Sequence, residues 1–131
     1  MIVDASALVT VALKEPGFEP YLEMLLRSRA NRVSATTFLE AAIVVDRFPN
    51  PRASVRFDEL INDLEISIEP MTAHQATIAR EAYRRFGKGS GHRARLNFGD
   101  CFAYALAKDL DEPMLFIGQD FIHTDVRQAL D

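Results

Sequence analysis

Four acidic residues stand where short strands and helices would bring carboxylates together. Asp4 follows the apolar pair Ile2-Val3, and Glu40 lies a helical turn past the segment Arg32-Val33-Ser34-Ala35. Asp100 sits at the start of an apolar helical stretch, and Asp120 follows Met114-Leu115-Phe116-Ile117. These side chains offer only oxygen donors, with no His or Cys at ligand spacing, a chemistry that selects a hard cation, Mg²⁺ or Mn²⁺. Carboxylates ~5 Å apart repel by about 3 kcal/mol per pair at an effective dielectric of about 20, so a shared cluster demands protons or a cation. A cation held there activates water and bridges a phosphate, the arrangement of metal-assisted phosphodiester hydrolysis. Each acid also has a local reading. Asp4 caps a first helix, Thr37-x-x-Glu40 is a capping box, Asn97-x-x-Asp100 imitates one, and Asp120 is a turn residue.

The neighbours of these acids add to the chemistry. Gly99 lies in the first turn of a helix, where Gly costs ~1 kcal/mol relative to Ala, and its missing side chain admits a close approach beside Asp100. Between Glu81 and Asp100 every charge is positive: Arg84, Arg85, Lys88, Arg93 and Arg95. That strip suits the phosphates of a polyanion, or else a solvated helix end answering the helix dipole. Ser6 is placed to hydrogen-bond Asp4, and His92 lies within the basic loop as a candidate substrate contact. His74 reads as a surface residue of a helix. Cys101, between Phe98 and Phe102, reads as a small buried hydrophobe. The chain has no P-loop, no G-x-S-x-G and no dinucleotide fingerprint.

Positioning such acids requires alternating short strands and helices. Strands are expected at Ile2-Val3, Arg32–Ala35, Ile66–Ile68 and Met114–Ile117. Helices are expected over Ser6–Lys14, Phe18–Arg29, Thr37–Phe48, Ala53–Leu64, Thr72–Phe86 and Phe98–Leu110, with Pro and Gly clusters as breaks. This alternation predicts an α/β three-layer sandwich with a short, mostly parallel sheet flanked by helices, in one domain over residues 1–131. Ligands of open sheets bind at the carboxyl ends of the strands, where the acids fall.

Composition narrows the partners. Nineteen acidic against fifteen basic residues give a net charge of −4, which excludes a protein that coats nucleic acid by charge alone. One cysteine excludes an internal disulfide framework and an all-Cys zinc site. No apolar run approaches the ~20 residues of a membrane helix, so no membrane partner is expected. Met-Ile-Val-Asp lacks a signal pattern, and a cytoplasmic location is the expectation.

The motifs resemble those of PIN-domain ribonucleases, the VapC-type toxins in particular. Ile2-Val3-Asp4-Ala5-Ser6-Ala7-Leu8 is similar to their opening, Ser34–Ala41 to their second acidic segment, and Leu96–Ala107 to the third. Leu115–Phe121 with His123-Thr124-Asp125, and the loop Phe86-Gly87-Lys88-Gly89, resemble one subgroup of these toxins. The resemblance implies a PIN-like fold and a Mg²⁺- or Mn²⁺-dependent endoribonuclease. Asp4 and Asp100 would be the main metal ligands, Glu40 would complete the shell or position the water, and Asp120 would be the fourth, more variable acid. It further implies a homodimer and a small antitoxin whose C-terminal segment occludes the site. Ile117 stands where the subgroup usually has Lys, and Arg93 replaces a frequent Pro. A homodimer is also expected from the apolar runs Leu8-Val9, Val11-Ala12-Leu13 and Ile43-Val44-Val45. Two alternatives use a similar architecture: a receiver-like signalling domain, and a catalytically silent binding module. The first wants an acidic pair after the first strand and an Asp after a middle one, and neither is present.

Overall fold

The computed structural model describes residues 1–130. Strands β1 (Ile2–Val3), β2 (Arg32–Ser34), β3 (Ser67–Glu69) and β4 (Met114–Leu115) form one sheet in the order β3-β2-β1-β4. Every pairing is parallel, with Ile2 opposite both Arg32 and Met114, and Val33 opposite Ile68. Parallel neighbours need crossovers, and each crossover here is a pair of helices. Helices α1 (Ala5–Ala12) and α2 (Glu19–Arg27) join β1 to β2, and α3 (Ala35–Asp46) and α4 (Arg52–Asp63) join β2 to β3. Helices α5 (Ala73–Phe86) and α6 (Asp100–Leu110) lead to β4.

Strand alternation sorts the buried residues into two cores. Val3, Val33 and Leu115 face α1 to α4 and meet Leu8, Leu25, Val45 and Phe57. Ile2 and Met114 face the other way, toward α5 and α6, and meet Leu96, Tyr104, Leu106 and Phe121. The result is the expected three-layer α/β sandwich with a wholly parallel sheet. No helix is long and apolar enough to cross a membrane among the described residues.

Several boundaries differ from expectation for identifiable reasons. Helix α3 starts at Ala35, directly after β2, because extended Ser34 takes the N-cap position. Thr37 is therefore inside the helix and buried, its hydroxyl has no partner, and Thr37-x-x-Glu40 is not a capping box. Strand β4 stops at Leu115, since the Ile117 amide leaves the ladder and donates to the Ser6 hydroxyl at 3.0 Å. At the sheet edge, Ile66 is buried whereas Ile68 is largely exposed, and the strand begins one residue later than expected. The apolar runs named for dimerisation are largely consumed within the chain: Leu8, Val11, Ala12 and Val45 are core residues. Ile43 and Val44 stay on the surface of α3, beside Leu39 and Phe48.

Candidate active site

Chain direction across the sheet reverses between β1 and β4: β2 and β3 extend from one side of β1, and β4 adds to the other. Crevices at such switch points are the usual ligand sites of open parallel sheets. Asp4 leaves β1 at this position. Its amide donates to the Leu115 carbonyl at 3.0 Å, fixing it to β4. The side chain caps α1, accepting from the Ser6 amide at 3.1 Å and the Ser6 hydroxyl at 2.6 Å. The cap reading of Asp4 and its place at the strand edge thus hold together. Ser6 links both strand ends, donating to Asp4 and accepting from Ile117.

Asp100 reaches the same edge from α6. Its Oδ2 accepts from the Asn97 amide, and its own amide donates to Asn97 Oδ1, both at 2.9 Å. This is a reciprocal cap, the arrangement expected of the capping-box-like Asn97-x-x-Asp100. Gly99 explains how a third acid fits. A Cβ at Gly99 would overlap the Glu40 carboxylate, so the space left by glycine is filled by the acid from α3. Asp120 follows a turn at Gly118, whose φ of 100° lies in the left-handed region that favours glycine. The neighbouring Phe121 anchors this turn edge-to-face on Phe116, with centroids 5.2 Å apart.

The electrostatics tie the four together. Burial raises the Asp4 carboxyl above its ordinary range despite its bonds from Ser6 and Ala5, and the Asp120 charge adds to the rise. Glu40 is raised by burial and by Asp4. Asp100 is pushed up to about 7, first by burial and then by the charges of Asp120, Asp4 and Glu40. Carboxyls that resist ionisation this way are stabilised by a cation. Among the described residues, no three His, Cys, Asp or Glu side chains are grouped tightly enough to enclose a metal on their own. Mg²⁺ keeps several waters and uses one or two carboxylates rather than a closed protein cage, so an open, oxygen-only set of this kind fits it.

The basic strip divides in two. Arg84 pairs with Glu81 at 3.7 Å, and Arg85 lies over the Phe86 ring and 4.0 Å from Asp125. Lys88, Arg93 and Arg95 are exposed on the loop between α5 and α6 and form no ion pair among the described residues. The loop neck is closed by Lys88 N–H to the Leu96 carbonyl at 2.9 Å and Leu96 N–H to the Phe86 carbonyl at 2.8 Å. His92 packs edge-on against Phe86, and its Nδ1 accepts from the Ala94 amide at 3.0 Å. It shapes the loop, a job that its sequence position gave no sign of. A second group went unnoticed in the sequence: Tyr104 donates to Asp125 at 2.7 Å and Lys108 joins it at 3.1 Å, pinning the C-terminal segment to α6. Cys101 is buried as expected, and burial pushes its thiol up to about 11.

Comparison with known proteins places this geometry. The PIN domain family model matches residues 1–127. The chain is 48% identical over 131 residues to Ribonuclease VapC28 of Mycobacterium tuberculosis, covering 100% of this chain and 98% of that protein. It is 46% identical over 129 residues to Ribonuclease VapC42 of the same organism, covering 98% of each. The crystal structure of Mycobacterium tuberculosis VapC20, titled a sarcin-ricin loop cleaving toxin, superposes with a TM-score of 0.79. That match covers 99% of this chain and 98% of VapC20 at 16% identity, and so speaks for the fold. With full-length identity approaching one half and the acids gathered at the switch point, the chain belongs to the PIN-domain family and, within it, to the VapC ribonuclease toxins of toxin–antitoxin systems.

Proposed function

We propose that this chain is a Mg²⁺- or Mn²⁺-dependent endoribonuclease whose site is built from Asp4, Glu40, Asp100 and Asp120. The observation that carries the reading is the convergence of acids from β1, α3, α6 and the turn after β4, with the proton affinity of Asp4, Glu40 and Asp100 each raised by burial and by the charge of at least one other acid. Asp4 and Asp100 are the principal ligands, being the most buried and the most rigidly held. A bound divalent cation supplies Lewis acidity and neutralises the phosphate. Glu40, more exposed, is positioned to accept a proton from the attacking water, and Asp120 completes the acidic rim. Ser6 orients Asp4 through its hydroxyl. Lys88, Arg93 and Arg95 hold RNA phosphates, with Arg84 and Arg85 adding positive field behind them.

The whole chain acts as one unit in the cytoplasm, paired as a homodimer through the exposed Leu39, Ile43 and Val44 of α3 and Phe48 just past its end. A small antitoxin silences it by laying its C-terminal segment over the acids. Family membership replaces the receiver-like alternative, and a silent module would gain nothing from buried, mutually repelling carboxylates. The deciding experiment is incubation of purified protein with total RNA in Mg²⁺, Mn²⁺ or EDTA. Cleavage is expected with either cation, lost in EDTA and lost in Asp4→Asn and Asp100→Asn. Equal cleavage in EDTA would refute the metal-dependent reading.

A further inference from the structure

Phe98 has 75% of its surface exposed, more than any other large apolar side chain among the described residues. A Phe side chain gains roughly 1.5–3 kcal/mol on burial, so a ring left in water invites a partner that covers it. It precedes Asp100 by two residues, and the chain between them spans at most ~7 Å. The reciprocal bonds between Asn97 and Asp100 hold this segment in place. The ring itself is oriented, packed edge-to-face on Phe102 with centroids 4.8 Å apart and planes at 80°. It borders a cavity of about 240 Å³ between α5 and α6, together with Met71, Arg80, Tyr83 and Cys101. Tyr83 is also exposed, at 41%, so two aromatic residues and an arginine line one recess, which Phe98 ties to the segment that carries Asp100.

Aromatic faces with an adjacent cation are the means by which proteins hold unpaired nucleobases and their phosphates. The α3 surface differs, its exposed Leu39, Ile43 and Val44 being aliphatic. We propose, resting on the ribonuclease reading above, that Phe98 is a base-stacking residue. Its ring receives the nucleobase next to the phosphate that is cleaved, with Tyr83 and Arg80 flanking it. Every base has a π-face, so Phe98 sets the position and single-strandedness of the substrate rather than its sequence. A duplex, its bases already stacked, is a poor substrate for the same reason.

The test uses a single-stranded 12-nucleotide RNA carrying 2-aminopurine at successive positions, titrated with full-length protein in EDTA and then with Mn²⁺ added. Wild type is expected to quench the fluorophore at one position, adjacent to the bond cut once Mn²⁺ is present. Phe98→Ala and Phe98→Leu should lose that quenching and bind RNA roughly 5- to 100-fold more weakly, and Phe98→Trp should retain both. Leucine keeps an apolar contact to Phe102 without a π-face, which separates stacking from simple packing. Undiminished quenching and affinity in the Ala and Leu variants overturn the proposal. So does a change in sedimentation or antitoxin capture with RNA affinity intact, which would give the ring to a protein partner. Quenching that depends on Phe98 without cleavage in Mn²⁺ upholds stacking and refutes the ribonuclease reading. Cleavage indifferent to Phe98 does the reverse, and absence of both binding and cleavage refutes both.

Discussion

At Asp100 one carboxylate caps a helix and lies in the field of three other acids, and the two roles oppose each other energetically. Capping and the helix dipole favour its charge by about 0.3–1 kcal/mol, while burial and the neighbouring charges disfavour it. Burial and repulsion prevail, since the folded carboxyl is raised from its ordinary 3.8 to about 7. The unfolded chain therefore releases this proton at lower pH than the native one. Metal-free stability must fall as pH rises through the window from about 4 to about 7. Asp4 and Glu40, also raised, act in the same direction. Thermal unfolding in EDTA should show this decline in wild type and a flatter profile in Asp100→Asn, with a melting temperature near neutrality equal to or above wild type. The same variant should lose cleavage. Gly99→Ala separates position from stability in another way. Gly99 is the N-cap of α6 with right-handed backbone, so alanine fits it without strain, and the obstacle is the end of the flexible Glu40 side chain. The variant should melt no lower than wild type yet cleave RNA at least tenfold more slowly, because Glu40 is turned away. The acids were legible from the sequence because Asp4, Glu40 and Asp120 come after apolar strand segments and Asp100 opens an apolar helix. The use of Gly99 as a slot for Glu40 was not, because it depends on how α3 and α6 cross.

Between α5 and α6, the loop from Gly87 to Leu96 carries free cations on a frame of its own. Gly89 and Gly91, with φ of 89° and 86°, make its turns, and the Phe86–His92 contact holds it shut. Neutralising Lys88, Arg93 and Arg95 together should lower the slope of log affinity against log salt by about 2, at roughly 0.7 per contact for a single strand. Metal affinity, read by titration calorimetry, should stay as in wild type. Arg85→Gln should behave differently, reducing stability through Asp125 and Phe86 more than it alters the salt slope. Sequence gave the charge of this strip correctly as one run. It could not divide the run, because Asp125 is forty residues along from Arg85 and meets it only in the fold. The same holds for α3: a Thr-x-x-Glu pattern signals a cap only where the helix begins, and Ser34 began it earlier. Elements with strong breakers, such as α5 between its Thr72 cap and Gly87, were placed to within a residue.

For the whole molecule, burial on both faces of the sheet leaves a run of aliphatic side chains on α3 without a covering element. Ile43 is 44% and Val44 48% exposed, with Leu39 and Phe48 alongside. Sedimentation should give a dimer at tens of micromolar, and Ile43→Glu with Val44→Glu should give a folded monomer; a wild-type monomer would rule out this pairing. The apolar runs of α1 suggested the same association from sequence, but they proved to be core, since periodicity marks a buried face without saying what buries it. The single cysteine offers a clock for the site. Cys101 is one residue past Asp100, buried, its sulfur 3.4 Å from the Asn97 carbonyl, with a thiol that holds its proton up to about pH 11. Although it borders the recess beside Phe98, only 4% of its surface is exposed, so a disulfide reagent reaches its sulfur when the first turn of α6 loosens. The rate of modification thus counts openings of the turn that carries Asp100, with no competing thiol to subtract. Mn²⁺ that clasps Asp100 should slow that rate in wild type and leave it unaltered in Asp4→Asn, so reagent kinetics would report occupancy of the acids without RNA present.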